Sequence, residues 1–139
     1  MQITNITDTS IEKLKDDFNS QAYCKLLGIE IINIGEDIAR LSLHINQNQL
    51  NQNGVVHGGI ISSLADSAAA VVLLSNIETG KNTSTIELKI NFLRPVKSNN
   101  LFADAKIIHK GSRIAVVDID IKNRAEQLIA KCLATFMIF

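Results

Sequence analysis

Residues 58–77 read GGIISSLADSAAAVVLLSNI, and this stretch decides the fold. Asp66 is its only charged residue, and its length together with its Ala and Leu content favours a helix. A helix that is apolar on nearly every side must be surrounded by other structure. We therefore predict one long helix that is buried all round.

The segments on both sides of this helix alternate between apolar and polar residues, as half-buried strands do. Two of them precede the helix, at 29–31 and 39–45, with a hairpin turn predicted at 35–37. Four more follow it, with inward-facing sets that begin at Ile86, Leu101, Ala115 and Leu128. The alternation predicts an antiparallel sheet with one face solvated or lightly covered, curved strongly enough to surround the helix.

A separate helix is predicted at the N-terminus, over about residues 9–22. A Ser or Thr at its start can cap it, and apolar residues from Ile11 to Phe18 repeat at helical spacing, with Ala22 next in the series. The element order is then helix, two strands, buried helix and four strands. No internal repeat or linker interrupts residues 1–139, so the sequence predicts a single α+β domain.

The chain carries 14 basic and 14 acidic side chains, so its formal net charge is zero. This balance removes the broad electrostatic argument for a nucleic-acid partner. The most apolar run, residues 68–74, is far shorter than the roughly 20 residues of a membrane span. The N-terminus has neither the basic start nor the apolar core of a signal peptide. We therefore expect a cytoplasmic protein with no nucleic-acid or membrane partner.

The two cysteines, Cys24 and Cys132, lie far apart and fit neither a metal-ligand spacing nor a redox motif. Reduced intracellular thiols are favoured over a structural disulfide between them. His57 has no second His or Cys at ligand spacing, and no phosphate-binding or dinucleotide-binding motif is present. The sequence therefore predicts no metal site and no cofactor.

Residues with chemical potential are concentrated where the buried helix begins, at His57, Gly58 and Gly59. The first N–H groups of a helix have no intrahelical acceptor and lie at the positive end of its dipole. Two glycines leave those donors unhindered, and such donors can bind a carbonyl oxygen that becomes negative during acyl transfer. The alternative is that the glycines only permit close packing of the helix against the sheet.

Asp66, two turns further along the same helix, is a second candidate. A carboxylate among Leu and Ala side chains is costly to bury unless it is paired or hydrogen-bonded. Three interpretations stay open at this point: a catalytic carboxylate, a structural one bonded to neighbouring Ser hydroxyls, and one on a helix face that meets solvent.

Residues 51–66 follow the pattern N-x-x-G-x-x-H-G-G-x-x-x-x-L-A-D. Residues 85–95, TIELKINFLRP, follow the pattern T-x-x-L-x-x-x-F-L-R-P. Together these motifs resemble those of PaaI-like hot-dog-fold acyl-CoA thioesterases, and the predicted element order is also that of the hot-dog fold. The resemblance covers nearly the whole chain, and the combined spacing is specific, whereas HGG alone is weak.

The resemblance implies hydrolysis of an acyl-CoA thioester. It assigns Asp66 as general base or nucleophile and Gly58 as the backbone donor that polarises the thioester carbonyl. It matches Asn51 to a residue that helps to place the attacking water, and His57 to a positioning residue. The residues that it implies in substrate binding are Gly59, Thr85, Lys110, Gly111, Ser112 and Arg113, the last four in a basic turn that suits CoA phosphates.

Helix geometry gives an independent reason to expect a dimer. Gly58 and Asp66 lie about 12 Å apart on a straight helix that rises 1.5 Å per residue. An oxyanion donor and a base must both lie within about 3 Å of one reacting centre. Two antiparallel helices related by a twofold axis meet this requirement, because each Asp66 then faces the other chain's Gly58. The resemblance implies the same homodimer, and a pairing of dimers into a tetramer.

Two other functions of the fold stay open. A hot-dog domain can bind and sense acyl-CoA without cleaving it, although such sensors usually carry a DNA-binding segment that residues 1–28 are too short and too neutral to provide. A hydratase or dehydratase of this fold places an acid and a His differently and lacks the spacing from HGG to Asp66.

Overall fold

The computed structural model describes residues 8–139, which form three α-helices and a six-stranded sheet. The helices are α1 (Asp8–Asn19), α2 (Ala22–Leu27) and α3 (Gly58–Leu74). The strands are β1 (Ile29–Gly35), β2 (Ile38–His44), β3 (Thr83–Phe92), β4 (Asn100–Lys110), β5 (Ile114–Lys122) and β6 (Leu128–Ile138). That residues 1–139 form a single domain stays a prediction.

The strands are ordered β1-β2-β4-β5-β6-β3, and every neighbouring pair is antiparallel. The sheet surrounds α3, which contacts all six strands. This arrangement confirms the predicted antiparallel sheet around a central helix. The prediction that the helix is buried all round is wrong for the described residues, because Ser63 and Asp66 on one side of α3 are only half-buried. The order also puts β3 at one edge of the sheet, although it follows α3 directly in sequence.

Burial alternates along the central strands as the sequence predicts. The fully buried positions of the sheet include Leu41, Leu43, Leu101, Ala103, Val117 and Ile119. The outer face carries charged side chains: Arg40 binds Glu126 at 2.6 Å, and Lys131 binds Asp118 at 2.7 Å. Exposed ion pairs of this kind contribute little to stability, but they mark the outer face as solvated.

The N-terminal helix differs from its prediction over 9–22, because it ends at Asn19 and a second helix begins at Ala22. The chain is extended at Gln21, and Ala22 is exposed rather than part of an inward-facing series. The second helix instead buries Cys24 and Leu27. The break lets each short helix turn its own apolar face to the core, which a single straight helix cannot do here.

The edge strand β3 departs from the predicted inward-facing set. Ile86 and Phe92 are 56% and 53% exposed, whereas Leu88 and Ile90 are partly buried. A register shift between Thr85 and Glu87 interrupts the pairing of β3 with β6 at Ile86. An edge strand lacks a neighbour on one side, so residues near its ends are left uncovered.

Candidate active site

His57 forms the N-cap of α3. Its backbone is extended, and its Nδ1 accepts a hydrogen bond from the Gly59 N–H at 2.9 Å. An imidazole nitrogen that accepts carries no proton, so in the neutral ring the proton is on Nε2. The His57 carbonyl accepts from the Ile60 N–H at 2.9 Å. His57 therefore positions the helix start, and its Nδ1 is not available as a base; its predicted role in the reaction stays a prediction.

These bonds account for the second and third N–H groups of α3 and leave that of Gly58. As the first residue of the helix, Gly58 has no intrahelical acceptor for its N–H, which lies at the positive end of the dipole. A Cβ at Gly58 would lie 3.1 Å from Cζ of Phe92 on β3, so this glycine also allows the helix to approach the strand closely. Both interpretations of Gly58, as donor and as packing residue, agree with its surroundings.

Asp66 is half-buried and lies beside β3. Its Oδ1 accepts a hydrogen bond from Oγ1 of Thr85 at 2.8 Å. The neighbouring hydroxyls of Ser62 and Ser63 donate to helix carbonyls, not to Asp66. The interpretation in which neighbouring Ser hydroxyls bond the Asp66 carboxylate is therefore wrong for Ser62 and Ser63. The carboxylate is instead held by one cross-element bond and is accessible.

The small and polar residues of α3 that are not buried form a continuous stripe, which we call the open face of α3. Its members are Gly58, Gly59, Ser62, Ser63, Asp66, Ser67 and Ala70. A cavity of about 330 Å³ opens at the Gly58 end of this face. It is lined by Val55, Val56, Ile61 and residues 92–96, so it is mostly apolar. The open face therefore joins an apolar cavity, an N–H that has no acceptor among residues 8–139, and a carboxylate.

Asn51 lies in the turn that leads to His57. Its Oδ1 accepts hydrogen bonds from the N–H groups of Asn53 at 2.9 Å and Val55 at 3.3 Å. The side-chain oxygen thus shapes the turn, and the amide nitrogen is the part of Asn51 left for a water. The predicted role of Asn51 in placing the attacking water stays a prediction.

The basic turn splits into two parts with different surroundings. Lys110 Nζ donates to the carbonyl of Asn76 at 2.7 Å, just beyond the end of α3, and lies 3.9 Å from Asp37. A cation at the C-terminal end of a helix complements its dipole, so Lys110 has a structural use. Its predicted contact with CoA phosphate has no support from this geometry.

The other part of the turn, Ser112 and Arg113, borders a second cavity of about 440 Å³. It is lined by Lys81, Ser112, Arg113 and residues 137–139. Gly111 shapes the turn, because its N–H donates to the Ile114 carbonyl at 2.8 Å and a Cβ there would lie 3.1 Å from that oxygen. Lys81, which no sequence motif singles out, is brought to Arg113 by the fold.

The register of the sheet relates this cavity to Asp66. Thr85 on β3 and Ala115 on β5 both pair with Phe136, on opposite sides of β6. Two strand spacings separate them, which is roughly 10 Å. Arg113 lies two residues before Ala115, so the turn and the Asp66–Thr85 pair are at the same end of β6.

Neither cysteine belongs to the site chemistry. Cys24 and Cys132 are both buried free thiols, so the alternative of a disulfide between them is wrong. Burial first, and then the negative charges of Asp66 and Asp118, together raise the pKa of the Cys132 thiol to about 11. A neutral buried thiol is a poor nucleophile.

Within residues 8–139 there is no cluster of three metal-ligating side chains, and none of the helices there is long and apolar enough to cross a membrane.

The comparisons with known proteins agree with this geometry. The sequence pattern of the thioesterase superfamily matches residues 53–130. The acyl-coenzyme A thioesterase PaaI of Escherichia coli is 33% identical over 114 residues, which cover 81% of this chain and 79% of PaaI. A putative esterase of Saccharolobus solfataricus is 28% identical over 94% of this chain and 86% of its own length.

Solved structures of thioesterases are also similar to this chain in fold. The Escherichia coli PaaI protein from the phenylacetic acid degradation operon superposes with a TM-score of 0.86 at 27% identity, covering 99% of this chain and 96% of PaaI. A thioesterase from Haemophilus influenzae superposes with a TM-score of 0.86 at 29% identity, covering 93% and 90%. The fold is the hot-dog fold of thioesterases, and the predicted resemblance to PaaI-like proteins is confirmed. The chain belongs to the thioesterase superfamily.

Proposed function

We propose that this protein hydrolyses an acyl-CoA thioester to a free acid and CoA. The observation that carries the proposal is the open face of α3, which presents a hydrogen-bonded carboxylate, Asp66, and an unused helix N-terminal donor, the Gly58 N–H. Two relatives named as acyl-CoA thioesterases match more than four fifths of this chain, at 28% and 33% identity. The location that we propose is the cytoplasm, as the sequence predicts.

The chemistry follows from what each group offers. Thr85 occupies Asp66 Oδ1, so Oδ2 is left to take a proton from water or to attack the carbonyl carbon itself. Addition to the carbonyl puts negative charge on its oxygen, and the Gly58 N–H stabilises that charge. The C–S bond then breaks, and the CoA thiolate leaves and takes up a proton. If water has added, the acid is released directly; if Asp66 has added, water then hydrolyses the resulting anhydride, which releases the acid and restores the Asp66 carboxylate. Thr85 lies beside Asp66, where it can also contact the leaving sulfur.

One chain does not supply both groups to one reacting centre, because Gly58 and Asp66 are about 12 Å apart along α3. We therefore propose that the site is completed by a second copy, with Asp66 of one protomer and Gly58 of its partner. The outer edge of β3 supports this, since it pairs with no strand among residues 8–139. Long free edges with apolar side chains are normally covered, and Ile86, Phe92 and Leu93 are all exposed there.

Pairing of two β3 edges about a twofold axis would also bring the helices together, because α3 lies directly against β3 through Asp66 and Gly58. Residue 62 is midway between those two positions, so Ser62 would lie at the twofold axis of an antiparallel helix pair. A pairing of dimers into a tetramer is the further assembly that we propose. Its candidate surface is the outer face of the sheet, where Ile114, Leu133 and Met137 are exposed.

The nucleotide end of CoA fits the cavity at Arg113. Lys81 and Arg113 give it two cations, and Ser112 gives it a hydroxyl. Cations and hydroxyls of this kind bind phosphate by charge-assisted hydrogen bonds. In this proposal Gly111 holds the turn, Gly59 contacts the acyl end, and Lys110 supports α3 rather than the substrate.

Release of free thiol from a panel of acyl-CoAs tests the function. The purified protein should release CoA from at least one aliphatic or aryl acyl-CoA, with multiple turnovers. Calorimetric titration with the same compounds is the companion measurement. Binding without thiol release would contradict hydrolysis and indicate the alternative, a protein that binds or senses acyl-CoA.

A further inference from the structure

Tyr23 on α2 is tied to the first turns of α3 by a short hydrogen-bond chain. Its hydroxyl oxygen lies 2.7 Å from Oγ of Ser63, and the Ser63 hydroxyl donates to the Gly59 carbonyl at 2.8 Å. Since Ser63 has one hydrogen and gives it to Gly59, Tyr23 must be the donor to Ser63. The ring is thus held by the backbone of α2 at one end and by α3 at the other.

The ring of Tyr23 is nevertheless 56% exposed. The same helix buries Cys24 and Leu27 on its other side, so Tyr23 does not belong to the core. A tyrosine with an anchored hydroxyl and an uncovered ring is a rigid, apolar surface that faces whatever occupies the neighbouring space.

That space is the open face of α3. Ser63 lies one turn before Asp66 on this face, and Tyr23 borders it on the α2 side. On the opposite side β3 supplies Thr85, bonded to Asp66, and Phe92, whose ring lies against Gly58. β3 and Tyr23 therefore border the open face of α3 on opposite sides, and the partner's α3 would lie over this face in the dimer proposed above.

We propose that Tyr23 determines substrate specificity, by limiting the size of the acyl group that fits beside Asp66. This inference rests on the proposed thioesterase function and goes beyond it. The ring cannot turn aside without breaking its bond to Ser63, so an acyl group that needs the space of the ring is excluded. In apolar pockets one methylene changes kcat/KM by about 10- to 200-fold.

The test is the profile of kcat/KM over acyl-CoAs from acetyl to dodecanoyl, with phenylacetyl-CoA added. Tyr23→Ala should move the maximum to larger acyl groups and change the ratio of large to small substrates about tenfold or more. Tyr23→Phe keeps the ring but frees it, so its profile should broaden in the same direction to a smaller extent. Leu26→Ala is the matched control, because Leu26 lies on the same helix and is 75% exposed; its profile should match that of the wild type.

A double-variant cycle tests whether the anchoring bond is the cause. Ser63→Ala removes the same hydrogen bond as Tyr23→Phe, so the two changes together should shift the profile no further than either alone. Thermal unfolding and size-exclusion chromatography show whether Tyr23→Ala folds. If it does not, Tyr23→Phe and Ser63→Ala provide the test in its place.

The outcomes separate this inference from the function on which it rests. A folded Tyr23→Ala protein that changes all substrates by one common factor would overturn the inference and leave Tyr23 as a structural tie between α2 and α3. If the wild-type protein hydrolyses none of the acyl-CoAs, the proposed function fails, and the inference fails with it.

Discussion

The Thr85 hydroxyl on β3 donates a hydrogen bond to Asp66 Oδ1 on α3, at 2.8 Å. The bond joins the edge strand to the central helix and occupies one of the two carboxylate oxygens. It therefore orients the remaining carboxylate oxygen. It also connects Asp66 to β3, the strand whose free edge we expect to pair with the second protomer.

Thr85→Val keeps the shape of the side chain but removes this donor. Hydrogen bonds to charged groups are worth about 1.5–3 kcal/mol, so we expect kcat to fall roughly 10- to 100-fold. Thr85→Ser keeps the hydroxyl and should stay near the wild-type rate. Steady-state thiol release measures both, and equal rates for the Val and Ser variants would show that the bond does not contribute to catalysis.

Asp66→Asn preserves size but removes the base or nucleophile. We expect kcat to fall by about 10²–10⁴ while the protein stays folded. Asp17→Asn, at an exposed carboxylate on α1, is the matched control and should be as active as the wild type. A near-normal rate for Asp66→Asn would remove Asp66 from the mechanism and direct attention to His57.

His57→Ala removes the cap of α3, whereas His57→Asn supplies another good cap. Loss of an N-cap costs about 1 kcal/mol, so the free energy of unfolding in urea should fall by that amount for Ala and change little for Asn. We expect the Asn variant to retain most activity, because capping keeps the Gly58 N–H in place. If both variants lose activity equally, the imidazole takes part in the chemistry directly.

Arg113→Ala should raise KM for acyl-CoA more than it lowers kcat, because phosphate contacts act equally in the ground and transition states. Short thioesters without the nucleotide should be almost unaffected. Arg124→Ala is the matched control, since Arg124 is exposed in the turn at the other end of β5. An equal effect of Arg113→Ala on both classes of substrate would mean that its turn is only structural.

Mixed dimers test whether two protomers share each site. Asp66→Ala and Asn51→Ala homodimers each carry one lesion in every shared site and should be strongly impaired. After joint unfolding and refolding, about half of the dimers are mixed, and one of their two sites is intact under twofold symmetry. About a quarter of the wild-type sites should then reappear as activity.

The control for this experiment is the same mixture without subunit exchange, which should stay at the parental rates. A site built within one chain would keep its lesion in every combination. Absence of rescue in demonstrated heterodimers would therefore contradict the shared site.

Much of the candidate site is readable from spacing alone. His57 and Gly58 directly precede a long apolar segment, and a helix start is the structure that those positions predict. The structure confirms this, with His57 as the cap. Asp66 is noticeable in the sequence because a lone charge among apolar residues needs a reason, but its partner is Thr85, not a helix serine.

Tyr23 has no comparable signal. It lies in a segment predicted to follow the end of one helix, where the chain in fact breaks and starts α2. Its relation to Ser63 crosses 40 residues. No local pattern reports such a pair, because the pair exists only once α2 and α3 have packed together.

The sequence by itself determined the strands, the long apolar helix and its start near Gly58, and it singled out Asp66 as a lone charge in that helix, because periodicity and helix-end chemistry are local properties. Only the tertiary structure decided that β3 pairs with β6 at the edge of the sheet, that Thr85 binds Asp66, and that Lys110 donates to the Asn76 carbonyl just beyond the end of α3. These relationships depend on which faces are buried together, and burial is a property of the whole folded chain, not of any one segment.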